Sequence, residues 1–251
     1  MSRRVNPVND RRPGVAGIVL AGGSSTRFGS GYNKAYLPLA GRSIFTWSLN
    51  TLADIPEVER LVLVVRREDY DLAEKTLDRE VPGRNVELVI GGATRHQSEH
   101  NALRHLAPAI GSGQLDIVLI HDAARPLVTQ TLIRSVIGAA LTHGAAVPGL
   151  REDTVVQSGP GGVMKPVENA DGKEFVRTQT PQGFAADLLL EAYEKAAIEG
   201  FEGTDTASCV RRTTSLDVRV VFGEPSNIKV TYAQDLLVAE RLLAAANYRL
   251  I

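Results

Sequence analysis

The amino-acid sequence predicts an α/β fold: a mostly parallel, twisted sheet with helices on both faces, plus a protruding β-hairpin arm. Three observations point to it. Apolar runs of strand length alternate with amphipathic stretches of helix length, which is the rhythm of βαβ units. The first apolar run, Val15 to Ala21, is closed at once by Gly22 and Gly23, so a buried strand gives way to a tight loop. After Gly149 the rhythm changes to two short strand-like segments around Ser158-Gly159-Pro160-Gly161-Gly162, a hairpin signal.

In chain order, residues 1–14 are polar, basic and broken by Pro7 and Pro13, and read as a disordered lead-in. The strand Val15–Ala21 follows. The patterning then predicts a helix over Ser43–Asp54, a strand over Arg60–Val65, a helix over Glu68–Leu77 and a strand over Val86–Ile90 that ends in Gly91-Gly92. A helix over Arg95–Leu106, a strand over Asp116–Ile120 and a helix over Thr129–Leu141, closed by His143-Gly144, continue the alternation. Asp153–Gln157 and Val163–Val167 are the strands of the arm. Helices over Ala185–Ile198, Thr206–Arg212 and Ala233–Ala246 and a strand over Val218–Phe222 complete the pattern. Residues 15–251 read as one domain, with 150–178 set off as the arm. Ligands of such sheets bind beyond the carboxyl ends of the strands, which directs attention to Gly22–Lys34, Gly91–Ser98 and His121–Pro126.

Composition narrows the class. The net charge of −1 over 251 residues offers no basic excess for nucleic acid and no acidic excess for disorder. Cys209 is the single cysteine, so neither a disulfide framework nor a cysteine zinc site is available, which suits a reducing cytoplasm. Arg11 and Arg12 before Val15–Ala21 imitate a secretory signal, but the run ends in GGSSTR without a small-x-small cleavage site. No stretch reaches the ~18 apolar residues of a membrane helix, so a soluble cytoplasmic protein without membrane or nucleic-acid partners is expected.

The first loop suits a polyanion. Gly22, Gly23 and Gly29 carry no Cβ, so the backbone can approach phosphate closely and aim N–H groups at it, while Arg27 and Lys34 add two cations. It is neither a GxxxxGK(S/T) loop nor a GxGxxG turn running into a helix. Asp122 follows the DIVLI run and can hold Mg²⁺ against phosphate oxygens, a metal that uses one or two protein carboxylates and keeps its waters. Arg125 could reach the same anions or anchor the loop, or pair locally with Asp122. His96-Gln97-Ser98-Glu99-His100 matches the HxxEH pattern of zinc hydrolases. The rest of the chain supplies no evident third ligand, and the histidines read more simply as part of a solvated helix face.

The three loops, together with Thr180-Pro181-Gln182-Gly183-Phe184, Thr204-Asp205-Thr206-Ala207-Ser208 and Asn227-Ile228-Lys229-Val230-Thr231, resemble the 2-C-methyl-D-erythritol 4-phosphate cytidylyltransferase family from about Val15 to Leu243. D-Ribitol-5-phosphate cytidylyltransferases are similar to it. The resemblance implies a Rossmann-like nucleotidyltransferase fold and Mg²⁺-dependent transfer of CMP from CTP to a polyol monophosphate, with release of pyrophosphate. Methylerythritol phosphate, in non-mevalonate isoprenoid synthesis, is the expected acceptor; ribitol 5-phosphate or another polyol phosphate is the alternative. It also implies a homodimer joined through the arms. By motif, Arg27 and Lys34 would grip the triphosphate, Lys229 would sit beside the reacting phosphates and Asp122 would hold the metal. Ala21, Gly22, Gly23, Gly91, Gly92 and Ser98 would surround the nucleoside, with GGxxR lining the base pocket. Thr154, Thr180, Thr204, Arg125 and Lys173 would meet the acceptor. Three departures bear on the acceptor more than on the reaction class, one of them the segment Val167–Gln179, which is unusual for the family. Gly172 stands where the family commonly has a phosphate-binding arginine, leaving Lys173, Arg177 or Lys165 to substitute, and Ala93 stands where an acidic residue often follows the second glycine.

Overall fold

The computed structural model of the chain describes residues 11–23, 33–152, 156–158, 164–166 and 174–248. Arg27, Thr154, Gly172, Lys173 and the hairpin turn over 159–163 lie outside the described residues.

Strand β1 (Val15–Leu20) opens the fold. Beyond the glycine loop come a 3-10 turn at Lys34–Tyr36, the two-residue strands β2 (Pro38–Leu39) and β3 (Arg42–Ser43), and α1 (Ile44–Ala53). The alternation continues through β4 (Val58–Val65), α2 (Tyr70–Glu80), β5 (Val86–Ile90), α3 (Arg95–Gly111), β6 (Ile117–Asp122), α4 (Gln130–His143) and β7 (Ala145–Glu152). The arm segments β8 (Val156–Ser158) and β9 (Met164–Pro166) pair antiparallel. After them come β10 (Phe175–Thr178), β11 (Gln182–Ala185), α5 (Ala186–Glu199), α6 (Thr206–Thr213), β12 (Arg219–Phe222) and α7 (Ala233–Tyr248).

The main sheet runs β10-β7-β11-β6-β1-β4-β5, with β12 paired to β7. Strands β1, β4, β5 and β6 are mutually parallel, and β12 is parallel to β7. Only β10 and β11 run against them, so the expectation of a mostly parallel sheet holds. Chain order reverses on either side of β1, whose neighbours are β4 and β6, and a crevice opens there at the strands' carboxyl ends.

Three strands of this sheet escape the sequence pattern. In β7 the run AAVPGLRE is interrupted by Pro148 and Gly149, which read as a turn. Gly149 is needed because a Cβ there would lie 2.8 Å from Val220 of β12 and 3.1 Å from Val176 of β10. Strands β10 and β11 are four residues each, too short to show a period. Helix α3 also overruns its expected end at Leu106 and continues through Pro108 to Gly111.

Packing follows the alternation of side chains along β1. Val15 and Val19 face α1, α2 and α4, burying Phe45, Leu49, Leu77, Ile133 and Val136. Ala16 and Ile18 face α3, α5 and α6, burying Leu103, Leu106, Leu189, Tyr193 and Cys209. In α4, the β-branched Ile133, Val136 and Ile137 are poor helix formers, each at a cost of a few tenths of a kcal/mol. Burial of each contributes about 1.5–3 kcal/mol, so tertiary packing decides. Thr129 caps α4 by accepting a hydrogen bond from Leu132 N at 3.1 Å, and Gly144, with φ of 85°, ends it.

Gly183 in β11 lets α4 approach the sheet: a Cβ there would meet Val136 at 2.7 Å and Leu119 at 3.1 Å. Gly183→Ala is therefore expected to destabilise the fold by about 1–3 kcal/mol. A thermal melt reads this, and an unchanged midpoint would contradict the close approach.

The polar lead-in is engaged from Arg11 onward. The Arg11 guanidinium pairs with Asp116 at 2.9 Å, and Gly14 N donates to the other Asp116 oxygen at 2.8 Å.

Candidate active site

The crevice beside β1 holds a cavity of about 400 Å³, bordered by Gly22, Lys34, Arg95, Asp122 and Lys229 among others. Its floor is the end of β6. Asp122 is the last residue of that strand and its side chain is 9% exposed. Two cations meet it: Arg95, the first residue of α3, bonds Oδ1, and Lys229 Nζ donates to Oδ2 at 2.7 Å. Burial opposes ionisation of Asp122, but the charges and hydrogen bonds of Arg95 and Lys229 outweigh it and hold the carboxyl far below the usual carboxylate range. Burial works against the charged Arg95 too, and is outweighed by Asp122 and Glu99, which raise its pKa. The floor thus combines one permanent anion with two cations that face a space of nucleotide dimensions.

Each charged group is held from behind. Asn33 is buried; its Nδ2 donates to Ala21 O at 2.6 Å and to Asp69 at 2.8 Å, and its Oδ1 accepts from Ala35 N, capping the turn that carries Lys34. Arg66 grips Asp69 through two bonds of 2.7 and 2.9 Å. This chain of contacts ties the end of β1 to Lys34. On the far side, Val230 N donates to Ala124 O at 2.8 Å, and buried Asn227 donates to Thr180 O at 2.9 Å. Lys229 therefore leaves a segment anchored to β6 and to the approach to β11.

Several expected site residues take identifiable positions. Gly91 and Gly92 give room to the start of α3: a Cβ on Gly91 would sit 2.7 Å from Ser98 Oγ, and one on Gly92 2.3 Å from Gln97. Ser98 Oγ accepts from Gly92 N at 3.1 Å and donates to Thr94 O at 2.9 Å. Gly22 and Gly23 border the cavity beside Ala21. Ala93, at the departure from the acidic residue, donates its N–H to Gln97 Oε1 at 3.1 Å. Thr204 is exposed next to the Asp205–Ser208 capping box that opens α6.

Thr180 and Arg125, expected to meet the acceptor, are engaged within the protein itself. Thr180 is 5% exposed, and its Oγ1 accepts from Asp122 N at 3.0 Å and bonds His121 Nδ1 at 3.1 Å, so it braces the floor from inside. Burial drives the His121 pKa down to about 4, which keeps that brace neutral. Arg125 does not pair with Asp122 through a hydrogen bond. Its guanidinium donates to Asn227 O at 2.7 Å and anchors the Lys229 segment. Arg177 is tied to Glu152 at 2.5 Å, on the exposed surface of the β10–β7 ladder.

The HxxEH residues are not on a solvated face and do not form a zinc site. His96 is buried and stacks on Tyr193 with ring centroids 4.5 Å apart. The Glu99 carboxylate is taken by Arg95, Tyr193 and Thr206. Among the described residues no group of three or more His, Cys, Asp or Glu is arranged to hold a metal. Sequence reasoning connected neither Arg95 to Asp122 nor Glu99 to the site. The available signal was the Arg95–Glu99 spacing of four on one helix, which favours an ion pair. Asn33, immediately before Lys34, was also overlooked.

Compared with known proteins, residues 15–245 match the family model of 2-C-methyl-D-erythritol 4-phosphate cytidylyltransferase. The chain belongs to this family. A relative of that name from Thermobifida fusca is 40% identical over 248 residues, covering 93% of this chain and 94% of that protein. Another, from Bacillus mycoides, is 36% identical over 226 residues, covering 90% and 96%. Among solved structures, 4-diphosphocytidyl-2C-methyl-D-erythritol synthase from Anaerococcus prevotii superposes with a TM-score of 0.78 at 29% identity, covering 92% of this chain and 96% of that one. The 2-C-methyl-D-erythritol 4-phosphate cytidylyltransferase from Thermus thermophilus superposes with a TM-score of 0.67 at 31% identity, covering 91% and 98%. The cytidylyltransferase family thus spans the whole described sheet of this chain. No helix among the described residues is long and apolar enough to cross a membrane.

Proposed function

We propose that this member of the family transfers CMP from CTP to 2-C-methyl-D-erythritol 4-phosphate and releases pyrophosphate, in the non-mevalonate route to isoprenoid precursors. The observation that carries the reading is the group of Lys34, Arg95 and Lys229 around Asp122 at the crevice beside β1, in a chain of this family. A phosphate oxygen of the acceptor attacks the α-phosphorus of CTP, a new P–O bond forms, and the bond to the bridging oxygen breaks as pyrophosphate leaves. The attacking oxygen is already anionic, so no Ser–His or Cys–His pair is required, and catalysis rests on positioning and charge. Lys34, with Arg27 of the same loop, neutralises the triphosphate. In this reading Lys229, which lines the same pocket, offsets the repulsion between the two reacting phosphates. Gly22 and Gly23 offer backbone N–H groups without side-chain obstruction.

The donor set suits magnesium. A single pocket-floor carboxylate, Asp122, with room for phosphate oxygens and water is the usual protein share of such a site. Arg95 and Lys229 occupy one direction at each oxygen, and a carboxylate has about four lone-pair sites, so Asp122 keeps acceptor capacity for the ion. When bound, magnesium supplies charge neutralisation across the α-phosphate and the departing pyrophosphate. Pyrophosphate release should need CTP, fall at least about tenfold with ATP or UTP, and stop with a chelator until Mg²⁺ is restored. Equal rates with all three nucleotides, or full activity in chelator, would count against this reading.

A homodimer formed through the arm is part of the same proposal. The arm's part in it comes from the family resemblance; exposed Phe222 and Val220 on β12 are a separate apolar surface. Sedimentation of the intact chain and of a variant lacking Gly159–Gly162 tests it: dimer for the first and monomer for the second is expected, and a monomeric intact chain would refute it.

A further inference from the structure

We propose that Glu99 is a positioning residue for the transfer reaction: with Tyr193 and Thr206 it fixes Arg95, and through Arg95 the carboxylate of Asp122, at the pocket floor. The inference rests on the pocket described above being the site of CMP transfer. Glu99 is 1% exposed, and a carboxylate so placed is tolerated only where it is paired and hydrogen-bonded. Three donors from three helices meet it. Arg95 Nε on α3 donates at 2.9 Å, Thr206 Oγ1 on α6 at 3.0 Å, and Tyr193 OH on α5 closes the set. Arg95 can only donate, so the Glu99 oxygen it meets is held as an acceptor; burial raises the Glu99 pKa, and the Arg95 charge with the Tyr193 and Thr206 hydroxyl bonds opposes that rise.

The consequence lies in the geometry of Arg95. Its guanidinium is planar and forked, with Nε on Glu99 and Nη1 on Asp122. Held at two points, it cannot pivot. Without Glu99 it would keep one anchor, follow Asp122 or an incoming phosphate, and lose its fixed direction. Charge balance points the same way: two carboxylates, Glu99 and Asp122, face two cations, Arg95 and Lys229. The tyrosine is itself steadied, since His96 stacks on its ring at an interplanar angle of 14°. The HxxEH motif thus supplies one ring and one carboxylate to an arginine brace.

The test compares kcat and KM in Glu99→Gln, Tyr193→Phe, Arg95→Ala and the double variant Arg95→Ala/Glu99→Gln. Glu99→Gln should lower kcat roughly ten- to a hundredfold, the scale of a misplaced catalytic group, while the acceptor KM moves less than about threefold. Tyr193→Phe keeps the ring stack and should lower kcat by a smaller factor. The decisive reading is the cycle: in the Arg95→Ala background, Glu99→Gln should add less than about twofold, because Arg95 carries its effect. Losses that multiply fully, or wild-type kcat in Glu99→Gln and Tyr193→Phe, overturn the proposal. Should Glu99→Gln fail to fold, the same cycle with Tyr193→Phe and Thr206→Val decides it by the same criterion. Wild-type kcat in Arg95→Ala alone would instead overturn the pocket assignment on which the proposal stands.

Discussion

Lys34→Ala is expected to lower kcat by about 10²- to 10³-fold, the loss typical of removing one preorganised group from a developing charge. Three features make the effect large. Lys34 borders the cavity, it follows directly on the buried Asn33 brace, and the triphosphate is a polyanion whose repulsion toward an anionic acceptor must be offset. The loss should appear in kcat more than in folding, because Lys34 is only half-buried and Asn33, which holds the turn together, is untouched. Steady-state kinetics with a thermal melt separates the two. A near-normal kcat would remove Lys34 from the mechanism. Lys34→Arg should recover little, since a planar fork does not reproduce a compact ammonium.

Asp122→Asn should cost at least as much, about 10³-fold. The substitution preserves shape, and the bond from Asp122 N to Thr180 Oγ1 is made by the backbone and remains. What it removes is the charge that Arg95 and Lys229 share. Both cations are then left beside a neutral amide, which destabilises the fold by less than the about 3–5 kcal/mol of a fully buried pair, because Lys229 is 38% exposed and Arg95 keeps Glu99. The variant should therefore melt earlier as well as turn over slowly. Raising Mg²⁺ should not restore its rate, whereas a wild-type rate at any Mg²⁺ concentration would exclude Asp122 as the metal-holding group.

The parallel half of the sheet was legible because local and tertiary signals agree there. Val15–Ala21 is apolar, of strand length and closed by glycines; β5 runs over Val86–Ile90 as its pattern predicts; and Thr129 and Gly144 bracket α4 by their own chemistry. The other half was not, because β7, β10 and β11 are decided by pairing between segments far apart in sequence. Gln182 lies opposite Ile120 and Thr178 opposite Gly149. The hairpin of β2 and β3 was hidden as well: its turn is Ala40-Gly41 with φ of 47° and 84°, and alanine is not the residue that advertises such a turn. At the site, glycines and exposed cations could be read from the chain. Partnership could not: Glu99 reaches Tyr193 and Thr206 across 94 and 107 positions. Periodicity placed His96 and His100 on one face without saying that the face meets α5.

Gly172 stands where the family resemblance leads to the expectation of a phosphate-binding arginine, so the identity of the acceptor is the most direct test. The measurement is product formation from CTP and Mg²⁺ with methylerythritol phosphate and ribitol phosphate offered in parallel, read as pyrophosphate release and by the mass of the cytidine diphosphate product. Turnover with methylerythritol phosphate is expected at least about tenfold above ribitol phosphate, a margin of some 1.4 kcal/mol in transition-state binding. Turnover with ribitol phosphate alone would contradict it.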